Sequence, residues 1–277
     1  MSFEILVVTM NQTDFSKIKQ MNIHSDVIFA NQADRTEKQV LEFEGHTATM
    51  ITTDTRGVGK NRNIGLLYAN ADICLFADDD VTYADDMEQL VVGEFAAHPD
   101  ADIMIFHLET DDPIRKQERY AKTKKHRRWS RMPWGGSRIA FRLDPVKKAN
   151  VWFTSLYGGG CVFPSGEDSM WLSAARKAGL VFYVSDKTIG RISFETSTWY
   201  TGRDEKFFYA KGAYCKNVHS RTFPVWAMYY ALRAGRKNCD IPMKDRLKWI
   251  YNGARGYKKT MSYAQYSRWL AGNETEE

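Results

Sequence analysis

Asp78-Asp79-Asp80 places three carboxylates side by side directly after the apolar run Ile73-Cys74-Leu75-Phe76-Ala77. Adjacent carboxylates repel one another, and a fold tolerates them mainly where a cation or a ligand offsets their charge. The run before them has no helical spacing and reads as a buried strand. Strands of parallel α/β sheets are covered on both faces, and their ligands sit at the carboxyl ends. A helix cap needs one aspartate, so three at a strand end are read as a binding site at the lip of a cleft.

Two further stretches carry chemistry-bearing residues. Gly57-Val58-Gly59-Lys60-Asn61-Arg62-Asn63 is a glycine-bearing turn that runs into a helix ending near Ala69. Glycines let backbone approach a ligand, and helix N-termini favour anions. The spacing is neither a Walker loop nor a dinucleotide fingerprint, which leaves a plain helix start or a phosphate contact. The second stretch is Tyr157-Gly158-Gly159-Gly160-Cys161, followed by Gly166-Glu167-Asp168, which opens a helix running to Ala178 and stopping at Gly179. Its carboxylates are either dipole and cap residues or include a general base beside a flexible loop.

The elements that must position these residues follow in order. Residues 3–9, 26–30, 47–51 and 101–108 read as strands. Residues 14–21, capped by Thr13 or Asp14, and 83–97 read as helices. Strands alternating with helices predict an α/β fold with a doubly wound, mostly parallel sheet. Beyond residue 200 the chain becomes helical and aromatic, with predicted helices over 223–234 and 244–259.

Composition sets the class. Hydrophobic residues make up 43% and charged residues 26% of the 277, which fits a soluble globular protein and excludes a disordered chain. No apolar run approaches the ~20 residues that span a bilayer. The N-terminus shows no basic segment leading into an apolar one, so the expected location is cytoplasmic. Cys74, Cys161, Cys215 and Cys239 lack metal-ligand spacing and are expected to be reduced thiols.

The net charge of +5 conceals a division: −14 over residues 1–112, +11 over 113–148, zero over 149–202 and +8 over 203–277. Basic segments suggest phosphate or an anionic surface as partner. Residues 115–131 interleave Lys and Arg with Tyr120 and Trp129, a pattern that suits either nucleic acid or a solvated loop. Nucleic acid is not the expected partner, because the acidic block would face it. Residues 244–259 mix Trp249, Ile250, Tyr251 and Tyr257 with many cations. They form either an interfacial helix, peripheral on the inner face of an anionic membrane, or a helix that covers the sheet with its cationic side solvated.

Taken together, three motifs in this order resemble a family 2 type glycosyltransferase with the GT-A fold: the turn and helix from Gly57 to Ala69 with Arg62-Asn63, Asp78-Asp79-Asp80 in the place of a DxD motif, and Gly166-Glu167-Asp168 in the place of the later ED motif. The resemblance covers about residues 3–200. It implies a GT-A catalytic domain over 1–200, with a nucleotide-sugar-binding half (1–112) and an acceptor-binding half (113–200), and a basic helical extension over 201–277.

It also implies roles. Asp80 and Asp78 would hold Mn2+ or Mg2+ at the diphosphate of a nucleotide-sugar, a UDP-sugar in the first instance. Thr9, Asn31, Gln32, Gly57, Arg62, Asp78, Asp79 and Asp80 would line the donor site. Asp168 would be the base and Glu167 its helper, giving an inverting transfer to a hydroxyl of a glycan or lipid-linked glycan in bacterial surface polysaccharide synthesis. Trp134, Gly159, Gly160 and Trp171 would meet the acceptor; Trp134, Trp171 and Trp199 are sugar-stacking candidates that could equally be packing residues. The sequence departs from the family where Asn31-Gln32 replace a usual Asp, with Asp34 further on, and where Arg191-Ile192-Ser193-Phe194-Glu195 offers no later histidine for the metal.

Two other readings compete. Asp78-Asp79-Asp80-Val81-Thr82 also fits the Asp-x-Asp-x-Thr pattern of a haloacid dehalogenase-type phosphohydrolase with Asp78 as nucleophile. A non-catalytic nucleotide-sugar-binding subunit is the other.

Overall fold

In the computed structural model, residues 1–112, 119–127, 130, 133, 135–193, 202–235 and 239–274 are described. The chain divides into two compact units, Met1–Thr154 with Glu167–Thr198, and Ser155–Gly166 with Trp199–Glu277.

The first unit is built on a ten-stranded sheet. Its strands are β1 (Phe3–Met10), β2 (Asp26–Gln32), β3 (Glu37–Phe43), β4 (His46–Thr53), β5 (Ile73–Asp78), β6 (Val81–Tyr83), β7 (Ile103–Glu109), β8 (Lys124–Lys125), β9 (Ile139–Arg142) and β10 (Phe182–Ile192). The order is β3-β4-β2-β1-β5-β9-β7-β10-β6, with β8 also on β10. Strands β4, β2, β1 and β5 pair in parallel, and β7 and β10 share their direction because β9 lies antiparallel between β5 and β7. The helices are α1 (Lys17–Gln20), α2 (Val58–Tyr68), α3 (Met87–Ala97), α4 (Leu143–Lys148) and α5 (Glu167–Lys177).

Strand β5 shows why an unbroken apolar run was needed. Ile73, Leu75 and Ala77 point into one core, with Val7, Phe29 and Phe106. Cys74 and Phe76 point into the other, with Phe141 and Trp171. Alternate side chains on a strand face opposite sides, so a sheet covered on both faces requires apolar residues at both parities.

Some elements differ from the expectation. Helix α3 begins at Met87 rather than at residue 83, because Val81–Tyr83 pairs with β10 as a short strand. Helix α1 is a single turn, Lys17–Gln20, preceded by Ser16, and Asp14 only accepts a hydrogen bond from Ser16 N at 2.9 Å. Strand β3, unanticipated, is an edge strand with mostly exposed side chains, closed onto β4 by Glu44-Gly45, both at positive φ (48° and 82°). Edge strands stay soluble by being polar, which removes the apolar signal that sequence reading relies on.

The second unit holds α6 (Glu205–Val218), α7 (Phe223–Gly235), α8 (Met243–Lys259) and α9 (Tyr263–Glu274). Asp204 caps α6 by accepting a hydrogen bond from Phe207 N at 3.0 Å. Helices α6 and α8 cross backbone to backbone: a Cβ on Gly212 would stand 1.9 Å from Ile250 O, and one on Gly253 1.9 Å from Tyr209 O. Phe208, Cys215, Phe223, Ala227 and Ile250 fill the core among these helices. Among the described residues no helix is long and apolar enough to cross a membrane.

Candidate active site

The candidate site lies at the carboxyl ends of β1, β2 and β5, which carry Thr9, Asn31, Gln32 and Asp78. Helix α2 sets it up. Gly57, at φ 123°, makes the turn into the helix, and its N–H donates to Gln32 Oε1 at 2.7 Å. Asn61 Nδ2 donates to Ala30 O at 2.7 Å, tying the first turn of the helix to β2. Gly65 lets the helix lie close on β1, since a Cβ there would meet Leu6 Cβ at 3.3 Å. This anchoring carries Arg62 into the interior, where it is 2% exposed.

Arg62 is the hub of the site. Its Nη2 donates to Asp78 Oδ1 at 2.8 Å, and its Nη1 donates to Asp168 and lies 3.8 Å from Glu167 Oε1. Its guanidinium stands over the Phe153 ring, 5.3 Å from the centroid. A buried cation is tolerated only with such partners. The strand-end aspartate and the helix-start carboxylates, separate in sequence, therefore share one counter-ion. The same fact redirects Arg62 itself: a contact with a donor phosphate was expected of it, but its guanidinium is committed to carboxylates.

A short 3-10 turn, Gly136–Arg138, completes the cluster. Ser137 Oγ donates to Asp78 Oδ2 at 2.6 Å, and the Gly136 N–H donates to Asp168. A Cβ on Gly136 would lie 2.5 Å from Arg62 Nη2. Gly136 and Ser137 were not singled out from the sequence. The signal that the sequence offers there is the Gly135-Gly136 pair, a turn signature.

Burial pushes Glu167 and Asp168 above the ordinary carboxylate range, while Arg62 opposes the rise for both. Asp78 adds to the rise, and each of the two helix-start carboxylates lies in a low-dielectric pocket that disfavours its charge. Carboxylates tuned toward neutrality are suited to taking a proton at physiological pH.

The other two aspartates behave differently. Asp79 Oδ2 accepts from Thr9 Oγ1 at 2.5 Å, and Lys17 Nζ donates to Asp79 O at 3.1 Å. Lys17 was not anticipated from sequence. Asp80 has a buried Oδ1 with no hydrogen-bond partner. Burial, then the charges of Asp78 and Asp79, pushes its carboxyl up to about 7.

Those facts bear on a metal. Among the described residues no group of three or more His, Cys, Asp or Glu side chains forms a metal cage. Asp78 has both oxygens engaged, by Arg62 and by Ser137. The orphaned oxygen of Asp80 fits a divalent ion of the Mg2+ or Mn2+ kind, which is commonly held by one or two carboxylates with substrate phosphates completing the shell.

The remaining expected residues are placed as follows. Asn31 is fully buried; its Nδ2 donates to Gln12 O at 2.9 Å and Thr52 Oγ1 at 3.0 Å, and its Oδ1 accepts from Gln12 N at 3.0 Å. Together with Gln32 on Gly57, it braces the loops of the site from within. Asp34 lies at the surface, paired with Arg56 at 2.5 Å. Trp171, a sugar-stacking candidate, is a core residue: it is 1% exposed, stacks on Phe153 (centroids 5.5 Å, 14°) and meets Phe76 edge-on at 5.2 Å. Gly159 and Gly160 sit exposed in a closed turn of the second unit, where Gly158 N donates to Phe163 O at 2.9 Å and Phe163 N to Leu156 O at 2.9 Å. Arg191 pairs with both oxygens of Asp111, at 2.6 and 2.7 Å. Trp134, Trp199, Phe194, Glu195, Trp129 and much of the basic stretch 115–131 lie outside the described residues.

No curated protein matches the sequence. Solved structures do: the crystal structure of S. aureus TarS 1-349 aligns with TM-score 0.58 at 14% identity, over 95% of this chain and 93% of that one. The same protein in complex with UDP-GlcNAc aligns with TM-score 0.59 at 12% identity, over the same shares. The longer TarS structure aligns with TM-score 0.55 at 16% identity, over 95% of this chain and 44% of that one. These likenesses give the fold, of GT-A type. The model of the family described as "Glycosyl transferase family 2" matches residues 16–180, a span that holds the α2 turn, Asp78–Asp80 and Glu167-Asp168, and the chain therefore belongs to glycosyl transferase family 2.

Proposed function

We propose that this glycosyltransferase moves a sugar from a nucleotide-sugar, a UDP-sugar in the first instance, to a hydroxyl of a glycan or lipid-linked glycan with inversion at the anomeric carbon, in bacterial surface polysaccharide synthesis. The observation that carries the reading is the single buried guanidinium of Arg62 joining Asp78 at the end of β5 to Glu167 and Asp168 at the start of α5. One cluster thereby holds both a donor-side and an acceptor-side carboxylate. The similar TarS structures with UDP-GlcNAc and with UDP support the choice of donor class.

Asp80 would hold Mn2+ or Mg2+, with the orphaned Oδ1 as ligand atom. When bound, such an ion offsets the charge gathering on the leaving diphosphate. Thr9 and Lys17 hold Asp79 in place beside it. Asn31 and Gln32 brace the loops on which the nucleotide would rest.

Transfer is a single displacement. The acceptor oxygen forms a bond to the anomeric carbon as the bond from that carbon to the diphosphate oxygen breaks, through an oxocarbenium-like state. The bonding pair leaves with the nucleoside diphosphate. The acceptor's hydroxyl proton goes to a carboxylate oxygen of Asp168, whose proton affinity burial raises while Arg62 opposes the rise. Glu167, buried beside it, raises the basicity of the pair through like-charge repulsion.

The test is Asp168→Asn, with donor binding by calorimetry and transfer by release of UDP measured separately. The expected outcome is retained binding with transfer lowered about 100-fold or more. Undiminished transfer would remove the base from Asp168. Donor binding in the parent chain without turnover on any acceptor would favour the non-catalytic subunit.

A further inference from the structure

The second unit carries a surface that the transferase reading does not use. Helix α7 has its apolar residues on both sides. Phe223, Ala227 and Ala231 face the core of the unit. Val225, Met228, Tyr229 and Leu232 are exposed, at 69, 44, 41 and 56%. Their spacing of three, one and three residues places them on one stripe about 100° wide. An ordinary surface helix shows water a polar face there, and a contiguous apolar one marks an interaction surface.

The neighbouring helix shows what kind of partner fits. The exposed positions of α8 include Lys244, Lys248, Tyr251, Arg255 and Lys258, again at helical spacing, while Asp245 is partly buried. The two helices meet beside the cationic stripe: the Tyr251 ring packs edge-on against Phe223, the first residue of α7 and on its core-facing side, with centroids 5.1 Å apart. At the other end of the apolar stripe, the Arg233 guanidinium lies over the Tyr229 ring and donates to its hydroxyl. An apolar stripe ending in a Tyr and Arg pair, on a helix packed against one that carries a cationic stripe, matches the chemistry of the boundary between acyl chains and anionic headgroups.

We infer that the α7–α8 face is a docking surface for an anionic lipid bilayer, with Val225, Met228, Tyr229 and Leu232 entering the acyl boundary and the α8 cations lying on the headgroups. The sequence leaves helix 244–259 either as an interfacial helix or as a covering helix with its cationic side solvated; in this proposal α7 supplies most of the apolar contact. Residues Ile250, Gly253, Ala254 and Gly256 of α8 are buried, with Gly253 and Gly256 close against α6, so the exposed side of α8 is mainly cationic, with Tyr251 among the cations. A bilayer rather than a protein is favoured because the cations are a repeating stripe with no acidic residue exposed between them, which suits a continuous anionic surface better than a discrete set of partners.

The experiment is co-sedimentation of the full chain with vesicles of phosphatidylcholine alone and of phosphatidylcholine with phosphatidylglycerol, at low and high salt. The chain is expected to pellet with the anionic vesicles only, and salt should weaken the binding. Val225→Glu with Leu232→Glu, and separately Lys244→Glu with Lys248→Glu, should each weaken partitioning about tenfold or more. The milder pair Met228→Gln with Leu232→Gln serves if the glutamates impair folding, judged by the melting curve, and should weaken it in the same direction. Failure to pellet with anionic vesicles, equal binding to neutral ones, or undiminished binding of folded variants would overturn the inference. So would a lipid-free dimer that the Val225→Glu, Leu232→Glu variant dissociates, since a second copy would then be the occupant. Release of UDP in the transfer assay is read on the same samples, so loss of membrane binding is distinguished from loss of activity.

Discussion

Arg62 and Asp168, 106 residues apart in the chain, meet as a buried ion pair, and the backbone of Gly136 lies flat against the guanidinium that makes it. The pair holds the two halves of the catalytic proposal together, and it exists only because residue 136 has no side chain.

Gly136→Ala should therefore be damaging. Its Cβ would stand 2.5 to 2.8 Å from three atoms of the Arg62 guanidinium, and a guanidinium pinned by Asp78 and Asp168 cannot simply swing away. Overpacking of this kind costs about 1–3 kcal/mol. Urea unfolding should show that loss, with transfer falling further than stability accounts for. A variant with parental stability and activity would show that Arg62 moves freely.

Asn31→Asp restores an acid after the second strand but should not restore a donor contact. Nδ2 of Asn31 donates to Gln12 O and to Thr52 Oγ1 from a fully buried position. A carboxylate cannot donate these bonds and would face an acceptor oxygen instead. The expected cost is about 1–3 kcal/mol, read as a lower urea midpoint, with donor affinity no better than in the parent.

The pH dependence follows from the raised carboxylates. A base works unprotonated, and burial raises both Glu167 and Asp168. The acid limb of kcat/KM should thus lie well above the ordinary carboxylate range of about 4, with activity rising as pH increases through it. Stability runs the other way. Because the folded state holds the Glu167 proton more tightly than the unfolded chain, whose value is near 4.5, this favourable contribution is complete below that value and is lost as pH rises through the higher folded value. Glu167→Gln should remove that decline, gaining about 1–3 kcal/mol on the parent between pH 5 and 8. Parallel stability curves for the two proteins would contradict the shift.

Removal of the proposed metal ligand gives a separate reading. Asp80→Asn keeps shape but replaces the orphaned carboxylate oxygen. In the parent, UDP with Mn2+ should raise the melting temperature by several degrees through ligand linkage, and UDP with a chelator should not. In the variant the Mn2+-dependent part should vanish, while the ligand-free melting temperature at neutral pH should lie at or above the parental one, because burial, Asp78 and Asp79 disfavour the charge that the substitution removes. An Mn2+-dependent shift that survives would place the ion elsewhere.

The amino-acid sequence by itself determined the strand β5 and where it ends, because a strand covered on both faces needs apolar residues at every position and three aspartates cannot continue it. It also determined α2 and α5, through glycine at their starts and the carboxylates Glu167-Asp168 at the head of α5. Hydrophobic patterning and turn residues are local signals, and these elements carry them strongly. Strands β3 and β9 and the 136–138 turn carried little such signal, since an exposed edge strand is polar and a four-residue strand has no period to read.

Only the tertiary structure decided what the polar residues do. The sequence leaves Arg62 at a plain helix start or a phosphate contact, and the family resemblance implies a nucleotide contact for Asn31 and an acceptor contact for Trp171 that could equally be packing. Folding turned Arg62 onto carboxylates, Asn31 onto Gln12, and Trp171 into the core against Phe153 and Phe76. A side chain's partners are set by which strand and helix ends arrive beside it, and those ends come from positions tens to a hundred residues away, where no local pattern reaches.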